Sequence, residues 1–302
     1  MSTFGEIAYN IIGPIALIVG IAAVADRLFK PDPSGLSRLI IYLFAPFLVL
    51  DGLANSQLTA GEAGQLMAMA AIVSCVIGTA AWWVARLSRF DRQLGSSFVL
   101  SSLLINAGNY GIPLNRFAFG EAGEERAIIF FVVTVLVSNT AGVFLASRGK
   151  MSTRRALLNV AKVPLPYAAA VGLALNMADV EMPVPVARAV STLGNASIPA
   201  MLTVLGIQLS RASINGHFKP ILMASSMRLI VSPLIAFGLV ALLGLSGLTR
   251  QVAIVQASMP TAVISGVLAT EFGGDVEFVT AVILVSTVAS MVTLSIILSL
   301  LM

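Results

Sequence analysis

Long apolar runs separated by short polar breaks extend along the whole chain. The breaks carry charged residues or Gly and Pro, as at 30–33, 89–92 and 273–275. Ten apolar runs are distinguished in this way: 5–26, 36–55, 63–86, 95–120, 127–147, 157–177, 186–209, 219–244, 249–272 and 277–301. Each has about the ~20 residues that a helix needs to cross a bilayer, and each is too long for the ~10-residue strands of a membrane barrel. The pattern predicts an all-α membrane protein with ten transmembrane helices.

The composition fits a surface that faces lipid. Hydrophobic residues make up 58% of the 302 residues and charged residues only 11%, whereas about 25% of a soluble domain is charged. The net charge of +4 is what basic cytoplasmic loops produce, so lipid is an expected partner and nucleic acid is not. The residues before the first run lack the basic stretch and cleavage site of a signal peptide, so we expect this run to be retained as a span.

The distribution of Lys and Arg predicts the orientation, because basic residues concentrate in cytoplasmic loops. Twelve of them fall near the loops between runs 1–2, 3–4, 5–6 and 7–8: Arg27, Lys30, Arg38, Arg86, Arg89, Arg92, Arg148, Lys150, Arg154, Arg155, Arg211 and Lys219. The opposite side has Arg126, Arg188 and Arg250, with Arg116 inside run 4. These loops are therefore predicted in the cytoplasm, and both termini outside the plasma membrane, the inner membrane of a bacterium.

Prolines recur at a nearly constant offset between the two halves of the chain. The pairs, separated by 147 to 153 residues, are Pro31 with Pro183, Pro46 with Pro199, and Pro113 with Pro260. Because each unit would contain five runs, the two units would lie in opposite orientations, and the offset predicts an inverted duplication. The predicted units are a first five-helix repeat at 1–147 and a second at 157–302, joined by a short basic cytoplasmic loop at 148–156.

Run 4 contains a polar cluster, from Asn106 to Pro113, in an otherwise apolar stretch. Proline lacks an N–H group and clashes with the preceding turn, so we expect the helix to kink or break just before Pro113. The glycines of this cluster tolerate unwinding, and unwound backbone survives in a membrane only where it is buried in protein or lines a wet cavity. Asn106 and Asn109 share a face if the turn stays helical, so that their amides cap backbone groups or hold a substrate.

Run 9 carries a matching interruption, at 256–262 around Pro260. Paired interruptions in corresponding runs of two halves point to a transporter binding site, although a single proline kink is usually structural. A half-helix that begins after each break presents free N–H groups, which favour an anion such as a carboxylate. The candidate substrate-binding residues are Asn106, Asn109, Tyr110, Gly111, Pro113, Ser258, Pro260, Thr261, Ser265 and Arg228.

Arg228 lies nine residues after Lys219, which places it ~14 Å along its helix and near the bilayer midplane. A charge at that depth usually faces a cavity or a partner. Two interpretations stay open: Arg228 raises the positive potential for an anionic substrate, or it binds the exposed carbonyl groups of a broken helix. No acidic residue falls clearly at the midplane, which argues against a carboxylate proton relay, while sodium held by backbone carbonyls stays open.

Other functional classes lack the residues that they need. One histidine, His217, and one cysteine, Cys75, cannot build a zinc site. The serine pairs have no histidine partner for a hydrolase triad, and the chain has no glycine-rich phosphate-binding loop for ATP. We therefore predict no enzyme activity, no metal and no cofactor, and we interpret His217 as a solvated loop residue.

Four parts of the sequence resemble the auxin efflux carrier family, bacterial relatives of the plant PIN-formed transporters. The matching motifs are 106–114, 44–46 with 54–56, 194–199 with 206–209, and 259–260 with 271–275. The resemblance implies a ten-helix inverted-repeat fold, in which helices 1, 2, 6 and 7 form a scaffold domain and helices 3–5 and 8–10 form a transport domain. Helices 4 and 9 are then expected to be broken and to cross at their prolines.

The same resemblance implies elevator-like alternating access for small organic anions and a homodimer through the scaffold helices. Asn109 and the backbone near Pro113 and Pro260 would contact the substrate. Many relatives carry asparagine shortly after the run-9 proline, where this chain has Ile264 and Ser265, so the substrate need not match theirs. The sequence thus predicts a secondary transporter of small carboxylates. Coupling to a proton gradient, coupling to a sodium gradient and uniport all stay open. The alternatives are a sodium-coupled symporter of another anionic solute and a channel-like facilitator.

Overall fold

The structure, a computed structural model, describes residues 4–147, 161–214 and 218–302. These residues form helices and, apart from one isolated bridge, no strand. The helices are α1 (Phe4–Phe29), α2 (Pro33–Ala54), α3 (Ala60–Leu87), α4 (Arg92–Leu103), α5 (Ala107–Ala146), α6 (Leu165–Met177), α7 (Val184–Arg211), α8 (Phe218–Leu242), α9 (Gly247–Ala257), α10 (Ile264–Phe272) and α11 (Val276–Leu301). The all-helical prediction is confirmed. The basic loop at 148–156 and His217 lie outside the described residues.

Seven of these helices are long and apolar enough to cross a membrane, namely α1, α2, α3, α5, α7, α8 and α11. The helix α6 is apolar but has only 13 residues. The helices α4, α9 and α10 are short because extended segments interrupt the chain after Leu103 and after Ala257. Within α5 the helical geometry is broken at Gly120, whose φ of 68° and ψ of −156° suit only glycine. The predicted break between runs 4 and 5 is thus a bend at this residue.

Most prolines inside the long helices are accompanied by a π-helical turn instead of a break. Four π turns end two residues before a proline: Ala8–Ile12 before Pro14, Ile40–Phe44 before Pro46, Ala107–Gly111 before Pro113, and Met227–Val231 before Pro233. The wider turn gives the proline ring room on the side where an α-helix would place a carbonyl group. The predicted kink or break just before Pro113 takes the form of a π-helical turn, because the helix passes through Pro113 and the break itself lies earlier, at 104–106.

Polar contacts and close packing join α1 to α7 and α2 to α6. Asp26 on α1 accepts hydrogen bonds from Arg211 on α7, with Nη2 2.6 Å from Oδ1. The same two helices touch at Gly206, where an added Cβ would lie 2.4 Å from the carbonyl oxygen of Val19. Asn176 on α6 donates its amide to two carbonyl oxygens at the C-terminal end of α2, at 3.1 and 2.8 Å. These four helices are therefore linked in two tight pairs.

A second group of polar contacts joins α3, α5 and α9, and α4 to the loop before α11. Glu62 on α3 accepts hydrogen bonds from Arg126 on α5 and from Thr249 on α9, at 3.3 and 2.9 Å. At the other end of the molecule, Gln93 on α4 donates to the carbonyl oxygen of Gly274 at 3.2 Å. These contacts thereby join the interrupted helices to elements that are far away in the chain.

The core lies among α3, α5, α9 and α11, where side chains such as Met69, Ile254 and Val282 are fully buried. The outer surface is also apolar, with large side chains such as Leu17 and Ile21 on α1 exposed. An exterior of this kind is stable only against lipid. The protein is accordingly an integral membrane protein.

Candidate functional site

The two interruptions meet in the interior of the protein and pair as a short antiparallel bridge. Ile105 pairs with Thr261. The flanking N–H groups of Asn106 and Ala262 donate to carbonyl oxygens of the opposite segment, at 3.0 and 2.8 Å. We call this bridge and its two flanking hydrogen bonds the crossing. The crossing is centred on Ile105 and Thr261, so the expectation that the first interrupted helix crosses at Pro113 is wrong.

The carbonyl groups that α4 leaves free at its C-terminal end are bound by side chains from other helices. The carbonyl oxygen of Ser101 accepts a hydrogen bond from Thr261 Oγ1 at 2.9 Å, and that of Ser102 accepts one from Arg228 Nη1 at 3.4 Å. The N–H of Thr261 donates to Ser286 Oγ on α11 at 3.2 Å. An unpaired buried group would cost ~1–3 kcal/mol, so these contacts stabilise a helix end that neither water nor lipid could satisfy.

Arg228 on α8 is completely buried behind the crossing. Its Nη2 lies 2.9 Å from the carbonyl oxygen of Ala257 and 2.8 Å from that of Met259, and its Nε lies 3.2 Å from the same Met259 oxygen. Nη1 contacts Ser232 Oγ at 3.3 Å, and that hydroxyl donates to the Ala257 oxygen at 2.7 Å. Among the described residues, no carboxylate pairs with this guanidinium. Of the two interpretations, the binding of broken-helix carbonyls is the one that the geometry supports.

The two glycines at the start of α5 are needed for close packing, not for unusual backbone angles. A Cβ on Gly111 would lie 2.3 Å from Oε1 of the buried Gln256, and a Cβ on Gly108 would lie 2.6 Å from the ring of Phe131. Neither glycine has a positive φ. Gln256 itself ties the interruptions together, because its Nε2 donates to two carbonyl oxygens of α5 at 3.4 and 3.2 Å. The role expected for these glycines, tolerance of unwinding, is therefore replaced by a packing role.

A cavity of about 670 Å³ lies against the other face of the crossing, and this volume is typical of small-molecule sites. Its walls come from the start of α2, two parts of α5, the middle of α7 and the start of α10. Arg38 is the only charged side chain among the described residues that line it. The uncharged polar lining residues are Ser34, Ser37, Tyr42, Asn106, Asn109, Thr134, Ser138, Asn139 and Gln208. The cavity thus combines one positive charge with hydroxyl and amide groups.

Asn106 brings an unused hydrogen-bond donor to this cavity. Its side chain is only 4% exposed, and its Nδ2 has no partner within the described part of the chain. Gln208 Oε1, on α7, also has no partner there. Asn109, half-buried, follows Asn106 on the same wall. Because buried amide groups are nearly always hydrogen-bonded, these atoms mark positions where a ligand or water would complete the bonding.

The other eight predicted site residues do not line the cavity. They are Tyr110, Gly111 and Pro113 in α5, Ser258, Pro260 and Thr261 at the second interruption, Ser265 in α10, and Arg228 in α8. All eight are buried in the structure. Ser258 and Ser265 donate their hydroxyl hydrogens to nearby backbone oxygens, those of Ile254 and Ala262. The structure therefore brings only Asn106 and Asn109, of the ten predicted residues, to the cavity wall.

The other polar cavity residues were missed by reasoning from the sequence, and three of them, Arg38, Asn139 and Gln208, carry a charge or an amide group. In the sequence, Arg38 served only to predict the membrane orientation, and Gln208 only as part of a motif that resembles the family. Asn139 had a visible signal, since it lies in the polar triplet 138–140 inside an apolar run. All three come from helices or turns far from Asn109 in the sequence, so no spacing rule connects them to it.

Two interrupted helices that meet within an apolar helical bundle, beside a polar cavity, are typical of membrane transporters. The fold and the site thus define a protein of this class. The chain belongs to the membrane transport protein family, which it matches over residues 14–154 and 148–298. This is the auxin efflux carrier family, so the assignment from the sequence motifs is confirmed, and it is a family of transporters and not of enzymes.

Two archaeal relatives extend this assignment over most of the chain. The chain is 27% identical over 282 residues to an uncharacterized transporter from Methanothermobacter thermautotrophicus, an alignment that covers 93% of each protein. It is 30% identical over 210 residues to an uncharacterized transporter from Methanocaldococcus jannaschii, covering 68% of each. Both names describe a transporter without a stated solute.

Proposed function

We propose that this protein is a secondary transporter that moves small organic anions, in particular carboxylates, across the membrane. The charge of the cavity carries the proposal: Arg38 is the one charged residue among the described lining residues. A cationic solute would lose its hydration there without gaining a counter-charge. An anion would be attracted by Arg38 and could accept hydrogen bonds from Asn106 and Asn109.

The helix ends at the crossing add to this preference. Gly108 and Asn109, in the first turn of α5, line the cavity, and so do Val263 and Ile264 at the start of α10. The first turn of a helix carries free N–H groups and the positive end of the helix dipole, which favour an anion by ~0.3–1 kcal/mol each. Two such ends directed at one cavity make a carboxylate a better ligand than a neutral solute of the same size.

We further propose that the ten spans form two inverted five-helix repeats, at 1–147 and 157–302. In this scheme α4 and the first part of α5 form span 4, and α9 with α10 forms span 9. Each of these two spans has the order helix, extended segment, helix. Their antiparallel pairing at Ile105 and Thr261 supports the scheme. In such a fold a two-fold axis in the membrane plane relates the two repeats, so corresponding spans run in opposite directions.

The same proposal assigns α1, α2, α6 and α7 to a scaffold domain and α3–α5 with α8–α11 to a transport domain that moves as an elevator. The polar contacts support this division: Asp26 with Arg211 lies within the first group, and Glu62 with Arg126 lies within the second. The cavity lies between the groups, with Gln208 on the scaffold side. A solute site between two domains, each held together by its own contacts, suits alternating access, in which one domain moves relative to the other.

For the orientation, we propose that the cavity opens to the cytoplasm. The described lining residues include the starts of α2 and α6, next to loops that are rich in Lys and Arg in the sequence, and such loops face the cytoplasm. Both termini would then lie outside the plasma membrane, which for a bacterial protein is the inner membrane. Lipid would surround the protein, and a homodimer would form through the scaffold helices.

Uptake by proteoliposomes tests the proposal. Labelled monocarboxylic, dicarboxylic and indolic acids would be offered with and without proton and sodium gradients. We expect saturable uptake of at least one acid, and counterflow when the same unlabelled acid is loaded inside. Absence of uptake of every acid by demonstrably folded protein would overturn the anion assignment.

The same assay separates the alternatives. Uptake of an anion that requires a sodium gradient would indicate a sodium-coupled symporter. Currents that exceed carrier turnover and do not saturate would indicate a channel-like facilitator.

A further inference from the structure

The oxygen atoms around the guanidinium of Arg228 form a cluster that resembles a cation site. Three of them are backbone carbonyl oxygens, from Ser102, Ala257 and Met259, and the fourth is Ser232 Oγ. They come from the ends of both interrupted segments and from α8. Carbonyl groups of unwound segments and of half-helix C-terminal ends are the ligands by which broken-helix transporters hold a sodium ion.

Arg228 already supplies the positive charge that this cluster attracts. The side chain is fully buried and, among the described residues, none of its contacts is with a carboxylate. Its charge is therefore balanced by carbonyl and hydroxyl dipoles alone. A buried charge is stable only with such complete hydrogen bonding, since desolvation otherwise costs several kcal/mol.

We propose that Arg228 is a tethered cation that takes the place of a coupling sodium ion at the crossing. Its significance for transport rests on the proposed function, but the site itself can be tested without any substrate. Arg228 is then a positioning residue: it joins the C-terminal ends of α4 and α9 and neutralises their negative dipole ends. The positive N-terminal ends of α5 and α10 are left facing the cavity on the other side of the crossing.

Replacing the side chain should convert the cluster into a site for a free cation. Arg228→Ala removes the charge and leaves the four oxygen atoms around an empty space. We expect this variant to unfold at a lower temperature than the wild type in choline chloride. Sodium chloride of equal ionic strength, or guanidinium at a non-denaturing concentration, should raise its unfolding midpoint by about 2 °C or more, because a ligand that binds only the folded state stabilises it.

The controls are the wild type and Arg250→Ala. Arg250 is exposed on α9 and makes no side-chain hydrogen bond or ion pair within the described residues. For each of these two proteins, the unfolding temperature in sodium chloride should equal that in choline chloride. A sodium-specific rise in the wild type would overturn the proposal, because a free ion would then bind beside Arg228.

Two further variants cover the case in which Arg228→Ala does not fold. Arg228→Lys keeps the charge with fewer donors, and Arg228→Met keeps much of the volume without the charge. We expect Arg228→Lys to be more stable than Arg228→Met and to be insensitive to sodium. Equal stability of these two variants, or an Arg228→Ala protein that neither cation stabilises, would show that the cluster needs no positive charge. None of these stability measurements depends on uptake. A failure of this proposal can therefore be distinguished from a failure of the proposed transport function.

Discussion

The two faces of the crossing differ in how their polar groups are satisfied. On the buried face, Arg228, Ser232 and Thr261 bind the carbonyl oxygens that the ends of α4 and α9 leave free. On the cavity face, Asn106 has a donor without a partner in the described part of the chain, and Asn109 is only half-buried. On the buried face the free backbone carbonyl oxygens of the helix ends are therefore bound by side chains, whereas on the cavity face an amide donor remains available.

This difference separates the residues that hold the fold from those that can bind a solute. A substitution on the buried face leaves an unpaired group or a clash, so it should lower stability first and transport as a consequence. A substitution on the cavity face removes a group that the fold does not use, so it should change transport and leave unfolding unaltered.

The largest effect is expected for Asn109→Ala on the cavity face. If the amide donates to the substrate carboxylate, its loss should reduce uptake at least about tenfold, the effect of removing a hydrogen bond to a charged group. The thermal midpoint should be unchanged. Asn10→Ala is the matched control, because Asn10 is exposed on α1 and does not line the cavity. Unchanged uptake by Asn109→Ala would remove this residue from the site.

On the buried face, Gly111→Ala should lower the free energy of unfolding by ~1–3 kcal/mol, as overpacking does. The new Cβ would lie 2.3 Å from Gln256 Oε1, and Gln256 is held by its own hydrogen bonds. Gly64→Ala on α3 is the control, because its Cβ would meet nothing within 4 Å, so it should be neutral or slightly stabilising. Similar midpoints for the two variants in thermal unfolding would contradict the packing role of Gly111.

Part of this picture could be predicted from the sequence because the signals are local. The length of the apolar runs indicated membrane helices. A cluster of Asn, Gly and Pro marked the first interruption, and Gln, Ser, Pro and Thr marked the second. The spacing of Asn106 and Asn109 placed them together, and both line the cavity. These features depend on neighbours within one or two turns, which is the range that a sequence pattern reports.

The division into two faces could not be predicted, because it depends on packing between distant helices. Pro113 was expected to kink or break its helix, and a π turn at Ala107–Gly111 accommodates it without a break, while Gln256 from α9 packs against that turn. Arg38 and Gln208 reach the cavity only because α2 and α7 pack beside α5. Sequence separations of this size carry no periodic signal, so these two residues were not recognised as cavity residues.

A smaller effect is expected for Arg38→Gln at the cavity. Arg38 is exposed, so its attraction for an anion is screened and worth only ~0.2–1 kcal/mol. The half-saturating concentration of the transported acid should therefore rise about 2–5-fold, and the difference should shrink at high salt. Arg27→Gln makes the same charge change at an exposed position that does not line the cavity. An equal rise in both variants would mean that the general surface charge, and not the cavity, attracts the anion.

The smallest effect, of opposite sign, is expected for Asp32→Asn beside Arg38. Asp32 caps α2, accepting hydrogen bonds from the N–H groups of Ser34 and Gly35 at 2.9 and 3.0 Å, and these bonds hold the pKa of its carboxyl below the usual value. Asparagine keeps one of the two capping oxygen atoms but removes the negative charge next to Arg38, so the half-saturating concentration of the acid should fall by up to about 2-fold.

Since the folded-state pKa of Asp32 is lowered, the stability that the cap contributes is present above the unfolded pKa of about 3.9 and is lost only as the pH falls through the still lower folded value. The carboxylate therefore stays charged throughout the range from about pH 5 to pH 8, and the ratio of wild-type to Asp32→Asn half-saturating concentrations should be constant there. A ratio that changes with pH in this range would assign the titration to another group, and a weaker affinity in the variant would show that Asp32 supports the site through the helix cap and not through its charge.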